Sequence, residues 1–272
     1  MLFFFTNCYR KWFGGKYFFS FNRFLYTLSL HGLGLLNHEN GKVSGEDEFV
    51  KWFIRNRHDI NGVIFDVGAN RGDYARLIRH HKSAAELFCF EPHPINFKIL
   101  EELSFELNFI PVMQGMGDKA GRLIIYDYAS RNGSQHASIY KDVIEEIHKS
   151  KSHGTEVEIT TIDEFVARNK ISGISLLKID TEGNELNVLK GARSCLLNNL
   201  INIVHFEFNE MNVVSKTFFR DILNELKGFE IYRLLPDGMV KLGEYNAVFF
   251  EIFAFQNIVA INKNSIAAET TS

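Results

Sequence analysis

The ten residues Val63-Ile64-Phe65-Asp66-Val67-Gly68-Ala69-Asn70-Arg71-Gly72 constrain the fold more than any other part of the chain. An apolar run of strand length ends in a loop bounded by two glycines, and a helical pattern follows from Asp73 to His81. A strand that feeds a glycine turn and then a helix is the opening half of a β-α-β unit. Strands in parallel sheets are buried on both faces, so helices must cover both sides. Glycines in the turn allow dihedrals that side chains forbid and let a ligand approach the backbone.

The rest of the chain continues the alternation. Leu87–Phe90 reads as a second strand, and Pro94 opens a helix, where its missing N–H costs nothing. Ile95, Ile99, Leu103 and Leu107 recur at spacings of four and predict that helix's buried stripe. Phe109–Met113 reads as a third strand. Between residues 120 and 160 the rhythm breaks. Leu123–Tyr128, Ala137–Tyr140 and Val157–Thr160 read as short strands between Gly, Asn and Ser turns, with a polar helix near 141–151. This predicts an antiparallel excursion beside the main sheet. Thr161 and Glu164 then have capping-box spacing. Strands are expected at Ile174–Ile179, Ile201–Phe208, Phe229–Leu235 and Ala247–Phe255, with helices through Leu186–Leu200 and Phe219–Leu226 between them. Ser44 and Asp47 cap a further helix ending near Arg55. The pattern predicts an α/β, Rossmann-like, doubly wound sheet of seven strands, with its ligand at their carboxyl ends. We divide the chain into an N-terminal aromatic and basic extension (1–58), the main domain (59–257) and a flexible tail (258–272).

Composition narrows the partners. With 272 residues, 46% apolar, the chain can bury a substantial core. A net charge of −3 gives no electrostatic case for nucleic acid. Three cysteines, Cys8, Cys89 and Cys195, lack CxxC pairing; this fits a reduced, cytoplasmic compartment and no cysteine zinc site. Residues 1–26 are different: eight Phe, three Tyr and Trp12, with Arg10, Lys11, Lys16 and Arg23 and no acid. The opening apolar run is too short for a signal peptide, and Phe24–His38 too short for a membrane span. The favoured expectation is an arm packed over the main domain; the other is peripheral membrane contact.

Nicotinamide and flavin sites use Gly-x-Gly-x-x-Gly to aim a helix N-terminus at a pyrophosphate. Here the spacing is Gly68-x-x-x-Gly72, and Asp66 places a carboxylate just before the turn. That charge repels a pyrophosphate and suits a ligand with a cationic amine and sulfonium. Twenty-five residues later Glu91 closes Leu87-Phe88-Cys89-Phe90-Glu91-Pro92, where an acid can accept both ribose hydroxyls of an adenosyl group. Together the two acids favour an adenosyl ligand.

These features resemble the FkbM family of S-adenosylmethionine-dependent methyltransferases. Asp66-Val67-Gly68-Ala69-Asn70-Arg71-Gly72, Phe90-Glu91-Pro92, Leu177-Lys178-Ile179-Asp180-Thr181-Glu182-Gly183-Asn184-Glu185, Leu189-Lys190-Gly191-Ala192 and Glu207 carry the resemblance, which spans roughly residues 40–255. It implies a class I methyltransferase fold and transfer of a methyl group to a hydroxyl, often on a sugar or natural product. It further implies that Asp66, Gly68, Asn70 and Gly72 hold the amino-acid end of S-adenosylmethionine and Glu91 with Pro92 the ribose. Met116 and Asp118, in the loop Gln114–Asp118, would then meet the adenine. A hydroxyl acceptor must lose a proton, and Asp180 and Glu182 are the leading pair for that task, with His136 as a third candidate. His205 and Glu207 share a strand face, and Glu185 is expected to complement a helix dipole. No metal ligand set is expected. Two alternatives stay open: a Rossmann-like oxidoreductase, and a membrane-peripheral protein that keeps the fold as a scaffold.

Overall fold

The computed structural model describes residues 2–56, 58–60, 62–129, 134 and 137–265. Its strands are β1 (Val63–Val67), β2 (Leu87–Phe90), β3 (Ile110–Val112), β4 (Gly115–Met116), β5 (Gly121–Tyr128), β6 (Ser152–Thr160), β7 (Ile174–Ile179), β8 (Ile201–Phe208), β9 (Phe229–Leu235), β10 (Gly238–Lys241) and β11 (Gln256–Asn262). Eight of them form one sheet in the order β10-β9-β11-β8-β7-β1-β2-β3, and β4-β6-β5 form a second, three-stranded sheet. The central strands run parallel; β11 lies antiparallel to both neighbours. The chain reverses its direction of travel between β1 and β7, which opens a crevice at the carboxyl ends of those strands.

Alternating side chains divide the sheet into two apolar faces. Phe65, Phe90, Leu177, Ile179, Val204 and Phe206 face Phe165, Val188, Leu196, Phe219 and Ile222 of the helices on one side. Phe65 and Phe165 each meet Phe88, Phe90 and one another edge to face, with centroids 4.9–5.6 Å apart. Ile64, Leu176, Ile203 and Val259 face Phe49, Phe53, Tyr74, Ile78, Leu100 and Leu103 on the other side.

The doubly wound class stands, and several details change. The sheet has eight strands, because β10 folds back on β9 as a hairpin. Residues Ala247–Phe250 form a short helix, with Asn246 Oδ1 accepting from the Val248 amide. The last strand is therefore β11, fully buried, and the tail expected from residue 258 begins with the core of the sheet. In the helix Pro94–Leu107 the buried face carries Asn96, Leu100 and Leu103, while Ile95 and Ile99 are exposed. The antiparallel excursion exists as β5–β6, but of Ala137–Tyr140 only Ser138 bridges to Tyr126. Residues Val143–Ile147 make one wide π-helical turn. Gly45, in a left-handed conformation, starts the helix Glu46–Arg55, and Ser44 Oγ accepts from the Glu46 amide at 3.4 Å. The helices Leu2–Phe13 and Phe19–Gly32 leave their aromatics exposed and do not cover the domain.

Candidate active site

The first loop is folded tightly onto the turn after β7. Gly68 has φ of +86°, and a Cβ there would sit 1.8 Å from the Asp180 carbonyl oxygen. Its amide and that of Ala69 both donate to the Phe90 carbonyl, each at 3.0 Å. We expect Gly68→Ala to abolish S-adenosylhomocysteine binding and to lower the melting temperature, because the clash is with backbone that cannot yield. Calorimetry and a thermal melt check this; wild-type affinity would remove the close approach from the argument. Gly72, at φ +84°, serves packing instead: a Cβ would meet Leu103 and Leu100 of the next helix. Gly72 is not part of the cavity wall.

Glu91 locks this loop. Its Oε2 accepts from the Asn70 amide at 2.9 Å and its Oε1 from the His93 amide at 2.7 Å. Burial pushes the carboxyl up to about 7, although the two amide bonds oppose that rise. His93 caps the helix Pro94–Leu107 through Nδ1 and lies 3.8 Å from Asp127, whose carboxylate accepts from the Ser134 hydroxyl and amide. The excursion is thereby tied to the strand that carries Glu91.

Val67, Gly68, Asn70, Glu91, Pro92 and Asn96 line one part of a cavity. Gly115, Met116, Ile125 and Ile159 give it an apolar wall, and Asp180, Thr181, Glu182 and Asn184 complete it. Among the residues expected to hold a cofactor, Gly68, Asn70, Glu91, Pro92 and Met116 meet here. Asp118 is exposed beyond the wall. Asp66 lies behind the wall, almost fully buried, with Oδ2 unpaired. Burial raises its carboxyl to about 7, with Lys178 opposing.

The turn after β7 is held from within. Glu185 Oε1 accepts from the amides of Thr181 and Gly183 and from the Thr181 hydroxyl, and Oε2 accepts from Asn212. Glu185 thus shapes the turn more than it serves a helix dipole. Asn184 Nδ2 donates to the Met116 carbonyl at 3.0 Å and joins the turn to β4. Glu182 adopts φ +54° and presents a buried Oε2 with no partner. Burial first, then Asp180 and Glu207, hold its carboxyl well above the usual range.

Beneath the turn lies a residue whose role was not read from the sequence. Asp66, Lys178 and His205 occupy one register line across β1, β7 and β8, so their side chains share a face. Lys178 Nζ lies 3.4 Å from Asp180, 3.6 Å from Glu46 and 3.7 Å from Glu207. Burial works against its charge, but the three carboxylates prevail and keep it a firm ammonium. Burial and Lys178 hold His205 well below its ordinary value, and its nitrogens contact Tyr74 Oη and Asn257 Oδ1. His205 is structural. His136 lies outside the described residues. Among the described residues no group of three or more His, Cys, Asp or Glu side chains has metal-holding geometry.

The cavity suits an adenosyl sulfonium. Asn96 is fully buried, lines the cavity and leaves both amide atoms unpaired, as does the Oδ1 of Asn70. Buried polar groups are nearly always paired, so these atoms keep hydrogen-bonding capacity for a group entering the cavity. Asn96 was hidden in the sequence because a polar residue on an apolar helix face reads as the solvent side.

Sheet order, glycine loop, the buried acid after β2 and the carboxylate turn fit a Rossmann-like methyltransferase. The chain belongs to the FkbM methyltransferase family: the sequence profile described as Methyltransferase FkbM domain matches residues 66–231, more than half its length. S-adenosylmethionine is the cofactor, and the oxidoreductase alternative falls away. The 2-O-methyltransferase NoeI of Sinorhizobium fredii is 26% identical over 65% of this chain and 76% of its own. The hexuronic acid methyltransferase AglP of Haloferax volcanii is 28% identical over 74% of this chain and 77% of its own. A crystal structure of the O-methyltransferase from Bacillus cereus with SAH overlays on 94% of this chain and 96% of that one, at 9% identity and a TM-score of 0.42.

Proposed function

We propose that the chain methylates a hydroxyl of a sugar, glycan or natural product, with Asp180 as the base and Glu182 orienting the acceptor. The observation that carries this reading is that both side chains line the cavity while one buried ammonium lies under Asp180 alone of the pair. S-adenosylmethionine supplies a methyl group already activated on a sulfonium. The chain's task is to hold the acceptor oxygen in line with it, worth about 7–11 kcal/mol at best. Asp180, fixed 3.4 Å from Lys178, accepts the hydroxyl proton as the oxygen–carbon bond forms and the carbon–sulfur bond breaks. Glu182 keeps its proton, so its O–H donates to the acceptor. Two relatives named for 2-O-methylation and for hexuronic acid support a sugar-type acceptor.

The test offers methyl-tritiated S-adenosylmethionine with hydroxyl-bearing glycans. Label that survives mild alkali is an ether and supports transfer to a hydroxyl. Label released by alkali is a carboxyl ester, and label in nucleic acid or protein is another acceptor class; either overturns the reading.

A further inference from the structure

The helices Leu2–Phe13 and Phe19–Gly32 are joined through Gly14, Gly15 and a turn at Lys16–Phe18. They are held as a hairpin. Tyr9 Oη donates to Asn22 Oδ1 at 2.5 Å, Asn22 Nδ2 donates to the Phe13 carbonyl at 2.8 Å, and the Phe13 ring meets those of Phe18 and Phe21. Yet between residues 3 and 32 only Leu30 is buried. Phe3 is 79% exposed, Trp12 71% and Phe19 66%. A helix in water normally turns one apolar stripe to a core and keeps the rest polar. An apolar surface of this extent on a folded chain marks an interaction surface.

We propose that this hairpin docks the protein on an anionic phospholipid bilayer. Charge selects that occupant. Arg10, Lys11, Lys16 and Arg23 are all basic and no acid precedes Glu39, whereas the chain as a whole is net negative. A second copy laid on the hairpin would set four cations against four. A layer of anionic headgroups neutralises them. Trp12, Tyr9, Tyr17 and Tyr26 beside these cations give the mixture of amphipathic rings and long basic stems that settles at a lipid interface. The helices have 12 and 14 residues, and no described helix is long and apolar enough to cross a membrane. They lie in the interface.

The attachment point links docking to catalysis. The Leu36 amide donates to the Phe255 carbonyl, Leu35 bridges to Gln256, and Gly34 packs against the Leu234 carbonyl. These contacts sit where β9 ends and β11 begins, at the carboxyl edge of the sheet. Glu46, ten residues on, reaches Lys178 beneath the catalytic turn. The hairpin leaves the body at the edge where the cavity opens, within reach of an acceptor held at a membrane surface.

The test is co-sedimentation of the full chain with phosphatidylcholine vesicles, with and without phosphatidylglycerol. Wild type should pellet with the mixed vesicles and little with phosphatidylcholine alone. Reversing Arg10, Lys11, Lys16 and Arg23 to Glu should cut the bound fraction by roughly tenfold. Phe4→Ser with Trp12→Ser should weaken binding without changing S-adenosylhomocysteine affinity, which reports that the fold is intact. Wild type left in the supernatant with both vesicles, or pelleting equally with the charge-reversed variant, overturns the proposal. So does a dimer in light scattering that Trp12→Ser dissociates, which would assign the hairpin to a second copy.

Discussion

Asp180→Asn is expected to lower turnover by about 10²–10⁴-fold while changing the affinity for S-adenosylhomocysteine by less than about threefold. The substitution keeps the side chain's size, and the Asp180 amide keeps its bond to the Val67 carbonyl. What it removes is the group that accepts the proton. Glu182→Gln should cost less, since an amide N–H replaces the donating O–H of a carboxyl that burial and its neighbours hold protonated. Glu182→Ala should cost more than Glu182→Gln. Single-turnover rates with saturating donor measure all three. Full turnover in Asp180→Asn, with Glu182→Gln inactive, would exchange the two roles.

The second large effect concerns Lys178. Breaking a buried ion pair by removing one partner typically costs about 3–5 kcal/mol, because the remaining charge is stranded. Lys178→Met strands Asp180, Glu46 and Glu207, which all lie within 3.7 Å of the ammonium. For a chain of this size that loss lowers the melting temperature by roughly 10 °C. It should be larger at pH 8 than at pH 5, where Glu207, whose carboxyl burial holds well above the usual range, takes up a proton instead. The Asp66 contribution to wild-type stability should fall as pH rises. Asp66 titrates near 3.8 when unfolded and about 7 when folded, so its contribution is complete below the lower value and is lost on passing the higher one. Asp66→Asn should therefore gain on wild type between pH 5 and 8. Melts of the three proteins at both pH values measure this, and a Lys178→Met melt equal to wild type would show that the ammonium does not hold the cluster.

Much of this architecture is legible in the sequence wherever a single face decides the pattern. β1, β2 and β7 are mostly apolar runs followed by Gly, Glu or Asp, and a doubly wound sheet leaves them little freedom. The last strand was illegible for a physical reason. Gln256, Asn257 and Asn262 look like loop residues, yet each is buried and paired with a group far along the chain: Arg233, His205, and Asn199 with the Ile201 carbonyl. The preceding run Ala247–Phe255 looks more strand-like but is capped into a helix by Asn246. The site divides the same way. Glycines and acids at strand ends announce themselves, whereas Lys178 acquires its partners only when β1, β7 and β8 come into register. Asn96 is equally silent until the helix that bears it is seen to face a cavity.

Calorimetric titration of S-adenosylhomocysteine into wild type and Glu91→Ala bears most directly on the adenosyl site. Wild type should bind with one site per chain, and the variant should bind about 10–100-fold more weakly, as the loss of one charged hydrogen-bonding partner requires. No heat from wild type, or the same affinity in Glu91→Ala, would contradict the assignment of this cavity to the methyl donor.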